Sequence, residues 1–167
     1  TYQTISWTEQ EDVDTLLNVM NSEFFSFQLG LTYSTQRFRQ DGLQPASFWG
    51  PELEWDRGDS WEQISSFVSV NYIFSENTEI EANVRYDDYS DFGNPTTVNF
   101  QFKNSINDNL NAYSRFSTAY APPTALELYG IDGRTGNLDL ISEKSENFEV
   151  GLKMQNDNRS NILQVSC

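Results

Sequence analysis

The sequence contains no histidine and a single cysteine, Cys167. Because histidine is the usual general base for serine and cysteine nucleophiles, both kinds of nucleophilic catalysis are excluded within this chain. The same absence excludes metal sites that need imidazole ligands, and one cysteine cannot form an intrachain disulfide. Histidine-dependent catalysis and Cys/His metal sites are therefore excluded, and we predict no catalytic residue, no metal centre and no cofactor.

Basic residues and long apolar runs are also scarce. Ten Lys and Arg oppose twenty-five Asp and Glu, so the formal net charge is -15. This charge repels the phosphates of nucleic acids and argues against them as partners. No apolar run reaches the ~18 residues that a membrane-spanning helix needs. A membrane β-strand is still compatible with this composition, because only alternate residues of such a strand face lipid.

The sequence does contain a repeated alternation of apolar and polar residues. Successive side chains of a β-strand point to opposite faces, so apolar residues at every second position form one face. Five stretches show the pattern, with the apolar sets Phe25, Phe27, Leu29, Leu31 and Tyr33; Val68, Val70, Tyr72 and Phe74; Ile80, Ala82, Val84 and Tyr86; Val98, Phe100 and Phe102; and Phe148, Val150, Leu152 and Met154. None of these sets contains a charge, which fits a lipid face, where Arg or Lys costs about 2–4 kcal/mol near the midplane.

The inner faces of a soluble β-sandwich alternate in the same way, so the pattern alone leaves both folds open. Strand length favours the membrane barrel, since segments 24–38, 61–74 and 111–120 reach the ~9–11 residues of a tilted membrane strand. Short polar turns alternate with longer links, at 39–60, 87–95 and 121–145. Bacterial outer-membrane barrels have this arrangement, with the long connections outside the cell.

We therefore expect an all-β fold, namely part of an antiparallel up-and-down transmembrane β-barrel with about nine strands of a larger barrel. Segments 1–7 and 13–20 are predicted to form a hairpin. Segments 61–74, 79–87, 96–104, 111–120 and 146–154 are predicted to pair consecutively, because short turns leave little room for another order. The side chains predicted to face lipid are Val84, Val98, Phe100, Val150 and Leu152.

Two motifs link the chain to a known family. Residues 115–153 read RFSTAYAPPTALELYGIDGRTGNLDLISEKSENFEVGLK, and residues 84–93 contain Val-Arg-Tyr-Asp followed by Asp-Phe-Gly. These blocks resemble the barrel of TonB-dependent outer-membrane receptors. The matching positions are Pro123, Thr124, Leu126, Glu127, Leu128, Tyr129, Gly136, Asn137, Leu140, Glu143, Lys144, Ser145, Asn147, Glu149, Gly151, Leu152 and Lys153, and the departures are Ala121, Pro122, Leu138 and Ser142. The resemblance covers the chain from about residue 67 onward, and residues 1–60 carry the family's general pattern.

The resemblance implies active uptake of a scarce solute, such as a siderophore or other metal chelate, through the bacterial outer membrane. It implies outer-membrane lipid and the TonB complex as partners, the latter acting through an internal plug. Residues 1–167 are expected to be one partial barrel domain, with the plug domain absent. Haem-uptake members carry a histidine between the two blocks, so haem is not expected here. Siderophores, cobalamin, oligosaccharides and other metal chelates all remain open as solutes. The resemblance also implies that the protein is not an enzyme. The alternatives are a passive porin or structural outer-membrane barrel, and a soluble β-sandwich binding module or an enzyme built on such a sandwich.

Four residues of the long links are predicted to contact the solute. Trp49 and Trp55 lie in the link 39–60, and Tyr129 and Arg134 follow the pair Pro122-Pro123. Aromatic faces supply contact area for a bulky solute and a guanidinium fixes its orientation. Asp87, Asp88 and Asp91 could supply carboxylate ligands to Ca²⁺, but their spacing is not that of an EF-hand loop. We therefore expect them to be solvated charges of the loop.

Overall fold

A computed structural model of the chain describes residues 3–44, 52–130, 136–155 and 162–166. These residues form a single antiparallel sheet in which each strand pairs with the next along the chain. The strands are β1 (Gln3–Asn21), β2 (Phe25–Gln44), β3 (Leu53–Ser75), β4 (Thr78–Tyr89), β5 (Thr96–Asn107), β6 (Leu110–Ala121), β7 (Glu143–Gln155) and β8 (Ile162–Ser166), and one short helix, α1 (Ala125–Tyr129), follows β6.

The predicted order of strand pairing is confirmed from β3 to β7. The connections alternate in length, as expected. Strands β3 and β4 are joined by the two residues 76–77, and β5 and β6 by 108–109, whereas 90–95 join β4 to β5 and 122–142 join β6 to β7. Short turns therefore lie at one end of the sheet, here called the inner end, and long connections lie at the other, the outer end.

The register brings the predicted lipid-facing residues onto one face of the sheet, here called the outward face. Val84 pairs directly with Val98, and Phe100 pairs with Phe116, which in turn pairs with Phe148. Val150 and Leu152 follow Phe148 at two-residue steps, and both are more than a third exposed. No second sheet covers this face within the described part of the chain, which contradicts the soluble β-sandwich. So broad an apolar surface is typical of contact with lipid.

The predicted hairpin at residues 1–20 is wrong, because β1 runs without interruption from Gln3 to Asn21. Residues 8–12 are polar but contain no glycine or proline, the residues that most often permit a tight turn. They pair with 34–38 of β2 instead. The described residues therefore contain eight strands, where about nine were expected.

The predicted loop at 39–60 is also shorter than expected. Strand β2 continues to Gln44 and β3 begins at Leu53, so most of this segment extends the sheet beyond the apolar band. The outward face of this extension is charged: Arg37 pairs with Glu9 at 3.7 Å, and Arg39 lies 3.3 Å from Asp41 and 3.5 Å from Asp56. The outward face is apolar nearer the inner end of the sheet and charged in this extension, which indicates that the extension projects into water.

None of the described residues forms a helix long and apolar enough to cross a bilayer. The hydrophobic core lies at the outer end, where Phe38, Trp61, Ala125 and Leu128 are buried together. Phe38 and Trp61 lie on the face opposite to the outward face, here called the inner face, because they alternate with Arg37 and Glu62 along their strands. The core thus forms where α1 folds back onto the inner face of β2 and β3.

Candidate functional site

Helix α1 begins and ends at defined capping residues. Thr124 is the N-cap: its hydroxyl accepts from the backbone N–H of Glu127 at 3.3 Å, and its own backbone N–H donates to the Glu127 carboxylate at 2.8 Å. These reciprocal bonds form a capping box. They also lower the pKa of Glu127 below its usual value, because the Thr124 N–H and hydroxyl stabilise the charged form. Gly130 ends the helix with a φ of 73°, a left-handed value that favours glycine.

Six residues pack the helix against the sheet, which we call the wall. We call these six residues the mouth cluster: Phe38, Trp61, Phe92, Ala125, Leu128 and Tyr129. The rings of Phe38 and Tyr129 stack with their centroids 5.3 Å apart and 12° between their planes. Trp61 lies between the Tyr129 ring at 6.5 Å and the Phe92 ring at 6.1 Å. The cluster therefore connects three elements: the wall strands, the helix and the connection between β4 and β5.

Two hydrogen bonds attach the end of α1 to the wall. The hydroxyl of Tyr129 donates to the carboxylate of Asp59 on β3. Burial, and then this bond to Asp59, raise the pKa of Tyr129 to about 12. The side-chain amide of Gln40 donates to the carbonyl of Gly130 at 2.9 Å, and Gln40 is 0% exposed. Breaking such a buried bond costs more than an exposed one, since its groups lose their contact with water.

The β4–β5 connection is held against the wall from two sides. Ser90 exchanges hydrogen bonds with the backbone of Glu62: its N–H donates to the Glu62 carbonyl at 2.9 Å, and its hydroxyl accepts from the Glu62 N–H at 3.2 Å. From the other side, the Tyr120 hydroxyl donates to the carbonyl of Phe92. These bonds fix the Phe92 ring beside Trp61.

A pocket of 220 Å³, here called the mouth pocket, opens beside the mouth cluster. Its wall consists of two rows of inner-face side chains that the register sets across neighbouring strands. One row runs across β1, β2 and β3 and consists of Gln10, Gln36 and Trp61. The other runs across β2, β3 and β4 and consists of Ser34, Gln63 and Tyr89. Phe92 and the pair Pro122-Pro123 close the opposite side. The pocket thus combines amide groups on the wall with aromatic and proline rings around them.

A polar network lies directly below this pocket on the inner face. The Asp87 carboxylate is 4% exposed and accepts from Arg85 and from Gln63, each at 2.8 Å. Arg85 and Gln63 also donate to the hydroxyl of Ser65, at 2.8 and 2.9 Å. Pairing satisfies the buried carboxylate, as a buried charge requires. Asp88, the next residue, points to the opposite face, and the described residues contain no group of three or more acidic, His or Cys side chains placed to hold a metal.

A wider groove of 570 Å³ lies on the inner face at the inner end of the sheet. Its charged groups are partly matched across strands: Lys103 lies 3.4 Å from Glu79, and Arg115 donates to Gln101 at 2.9 Å. The Tyr113 hydroxyl donates to Glu149 at 2.8 Å. This groove is far along the strands from the long connections, so it is separate from the mouth pocket.

Of the four residues predicted to contact the solute, the structure describes Tyr129 and Trp55. Tyr129 lies in the mouth cluster, and Trp55 is 7% exposed, with its ring across Gly42 of the neighbouring strand. Trp49 and Arg134 lie outside the described residues. Gln36, Trp61 and Gln63 of the mouth pocket lie within β2 and β3, outside the long links in which the sequence predicts solute contact. The period-two pattern places these three on one face, but the rows they form across strands depend on the register.

Comparison with known proteins gives one family and several related structures. Residues 1–166 match the family described as TonB dependent receptor-like, beta-barrel. No curated protein sequence matches the chain. The fold is similar to the ferric enterobactin receptor of Pseudomonas aeruginosa, with a TM-score of 0.73 at 15% identity over 96% of this chain and 26% of the receptor.

Two other solved structures have similar folds. The siderophore receptor PirA of Acinetobacter baumannii gives a TM-score of 0.70 at 20% identity, over 91% of this chain and 25% of that protein. The copper transporter OprC gives 0.68 at 14% identity, over 92% of this chain and 29% of the transporter. The chain thus spans about a quarter of the length of these proteins.

Proposed function

Because this chain belongs to the TonB-dependent receptor family, as part of its β-barrel, we propose that the complete protein takes up a scarce solute across the bacterial outer membrane. Barrels of this family are outer-membrane proteins, and the apolar band of the outward face, from Ile80 to Tyr86 on β4 and from Phe148 to Met154 on β7, carries no charge and fits lipid contact. The observation that supports uptake most strongly is the family match over residues 1–166.

The energy for uptake, in this proposal, comes from TonB acting on a plug domain that is separate from residues 1–167. The chain contributes wall strands and external connections, and the remaining barrel strands close the sheet at the edges of β1 and β8. The solute enters from the outer end, where the long connections and the mouth cluster lie. A siderophore or other metal chelate is the first solute to test, since siderophore and copper receptors have the same fold.

Ligand contact is proposed for the outer end of the wall, including Trp49, Trp55, Tyr129 and Arg134. Tyr129 supports this through its position at the mouth, half-buried against Phe38 and Trp61. Trp55 supports it through its place on the inner face of the water-exposed extension of β3. No part of this proposal requires a catalytic residue.

The test compares uptake in two bacterial hosts that differ in TonB. The full-length receptor is produced in the outer membrane of a host without its own siderophore receptors, with TonB present or deleted. Labelled ferric siderophores, copper chelates, peptides and neutral oligosaccharides are supplied at low concentration. We expect one class of solute to accumulate when TonB is present and not when it is deleted. Accumulation that is equal in both hosts would identify a passive porin and overturn the proposal.

A further inference from the structure

We infer that the mouth pocket binds one uncharged, hydroxyl-rich ring of the transported solute, such as a saccharide unit provides. This inference rests on the proposed uptake function and specifies the class of solute. The pocket volume of 220 Å³ is below the ~300–1,000 Å³ of sites that enclose a drug-sized ligand. It therefore suits one ring of a larger solute, while the rest of that solute extends into the barrel.

The apolar part of the pocket matches the C–H face of a saccharide ring. Trp61 and Phe92 stand with their centroids 6.1 Å apart and their planes 37° apart, so they form two non-parallel walls. Pro122 and Pro123 add two further rigid rings at the rim. Rigid aromatic surfaces bind an apolar ring face with little loss of side-chain entropy. Trp61 is 8% exposed, so most of its surface packs within the mouth cluster and a small part of it is open to the pocket.

The polar part matches the hydroxyls at the edge of such a ring. A side-chain amide offers two N–H donors and a carbonyl acceptor, so it pairs with a hydroxyl that donates or one that accepts. The Gln63 amide is held in place, because its Nε2 donates to Asp87 at 2.8 Å and to Ser65 at 2.9 Å. Both of its N–H groups are used in these bonds, so Gln63 offers its carbonyl oxygen to a solute hydroxyl that donates. Gln36 lies one row above it, beside Trp61. The Gln63 carbonyl and the neighbouring Gln36 amide together favour a solute that forms hydrogen bonds without carrying charge.

The charges around the pocket disfavour an anionic solute. Among the described residues that line it, Glu62 is the one that carries a charge, and its side chain points to the outward face because it alternates with Trp61 and Gln63. The described charges next to it on the inner face are Asp12, which accepts from Gln10, Asp59, which accepts from Tyr129, and Asp87, which is paired with Arg85. An anionic group entering the pocket would lose water and meet no cation among the described lining residues, and this desolvation is costly.

The experiment measures binding to the purified full-length receptor by isothermal titration calorimetry. The probes are maltoheptaose, cellohexaose and chitohexaose as neutral oligosaccharides, ferric enterobactin as an anionic chelate, and an uncharged hexapeptide. We expect at least one oligosaccharide to bind, and Gln36→Leu to weaken that binding on the order of tenfold, as the loss of one or two hydrogen bonds to the ring predicts. Tyr89→Ala, at the other row of the pocket, should weaken the same probe.

Gln28→Leu is the matched control. Gln28 lies on the same strand and the same inner face, and it donates to Asn18 at 2.8 Å, away from the pocket. Its variant should bind the oligosaccharide as the unmodified receptor does, and all variants should keep the heat-modifiable gel mobility of a folded barrel. The inference is overturned if no oligosaccharide binds, or if Gln36→Leu and Gln28→Leu behave alike. TonB-dependent uptake of ferric enterobactin or the peptide would then leave the proposed function standing, whereas loss of TonB dependence would overturn that function itself.

Discussion

Tyr113 on β6 pairs with Gly151 on β7, and its ring covers the space that a side chain at Gly151 would occupy. A Cβ built at Gly151 would lie 2.5 Å from the ring and hydroxyl oxygen of Tyr113, closer than real side chains approach. The ring position also aims the Tyr113 hydroxyl at Glu149, which it reaches at 2.8 Å. Gly151 therefore permits both the cross-strand packing and this hydrogen bond.

The same arrangement recurs twice on the inner face. Phe67 lies across Gly30, and Trp55 lies across Gly42, each pair set opposite by the register of β2 and β3. An aromatic ring over a cross-strand glycine shields backbone that glycine leaves bare, so it offsets part of the low strand propensity of glycine. The three pairs extend from the outer extension of the sheet to the inner groove, which indicates a common device for lining the inner face.

Replacing Gly151 tests this packing. Gly151→Ala should destabilise the folded barrel by about 1–3 kcal/mol, because the added methyl displaces the Tyr113 ring from its place in the sheet. The measurement is the urea concentration at which the full-length protein loses heat-modifiable gel mobility. Gly58→Ala is the control: a Cβ there meets the Phe38 carbonyl at an ordinary 3.5 Å, so little or no loss is expected. Equal destabilisation by the two changes would contradict the assigned role.

The outward face gives a second prediction. Val150→Arg should impair barrel assembly in the membrane, since a guanidinium on the lipid face near the midplane costs about 2–4 kcal/mol. Val150 is 37% exposed and lies between Phe148 and Leu152 among the apolar side chains on the outward face of β7. Lys153→Ala, three residues along the same strand but on the inner face, should have a mild effect. The readout is the fraction of folded protein in isolated outer membranes, and similar losses for both variants would show that the faces are assigned wrongly.

Most of the sheet could be predicted from the sequence because its signals are local. Alternation fixes which residues share a face within a strand, and polar turns such as 76–77 and 108–109 fix which strands are neighbours. Residues 8–12 show where this reasoning fails. Their polarity predicts a turn, but strand β1 continues there because its partner β2 also extends beyond the apolar band.

The site could be predicted less well than the fold. The long links were the natural place to look for aromatic residues, and Tyr129 does lie at the mouth. The mouth pocket, however, depends on rows that cross strands, such as Ser34, Gln63 and Tyr89. No short stretch of sequence determines the strand register or the packing of α1 against Phe38 and Trp61. Both result from pairing between segments far apart in the chain.

The contact between Tyr129 and Asp59 predicts a pH dependence. The pKa of Tyr129 in the folded protein is about 12, above the value of 10.0 for a free tyrosine. A raised pKa means that folding favours the protonated form. The contribution of Tyr129 to the stability of the folded state is therefore complete below about pH 10 and is lost as the pH rises towards about 12. Attachment of α1 to the wall should therefore be constant at neutral pH and fail in strong alkali.

Two measurements check this dependence. Tyrosinate absorbance should reveal one group titrating near pH 12 that disappears in Tyr129→Phe. Limited proteolysis between Ala125 and Gly130 should increase over the same range in the unmodified protein. Tyr113→Phe is the control, because it removes a tyrosine hydroxyl from the inner groove and leaves α1 untouched. Cleavage that begins well below about pH 10 would mean that Asp59 does not hold the helix.

The last prediction concerns the four residues proposed to contact the solute. Trp49→Ala combined with Arg134→Ala should weaken solute binding and leave the gel mobility of the folded barrel unchanged, because an indole face and a guanidinium supply contact area and orientation. Trp55→Ala and Tyr129→Ala should weaken binding and also loosen the wall, since Trp55 packs across Gly42 and Tyr129 stacks on Phe38 at 5.3 Å. Binding is measured on the full-length receptor with the solute that shows TonB-dependent uptake. Unaltered affinity in the Trp49 and Arg134 double variant would remove those two from the site. Lost uptake with intact binding would instead place the defect in the coupling to TonB, because solute capture and energy transfer are separate steps in the proposed mechanism.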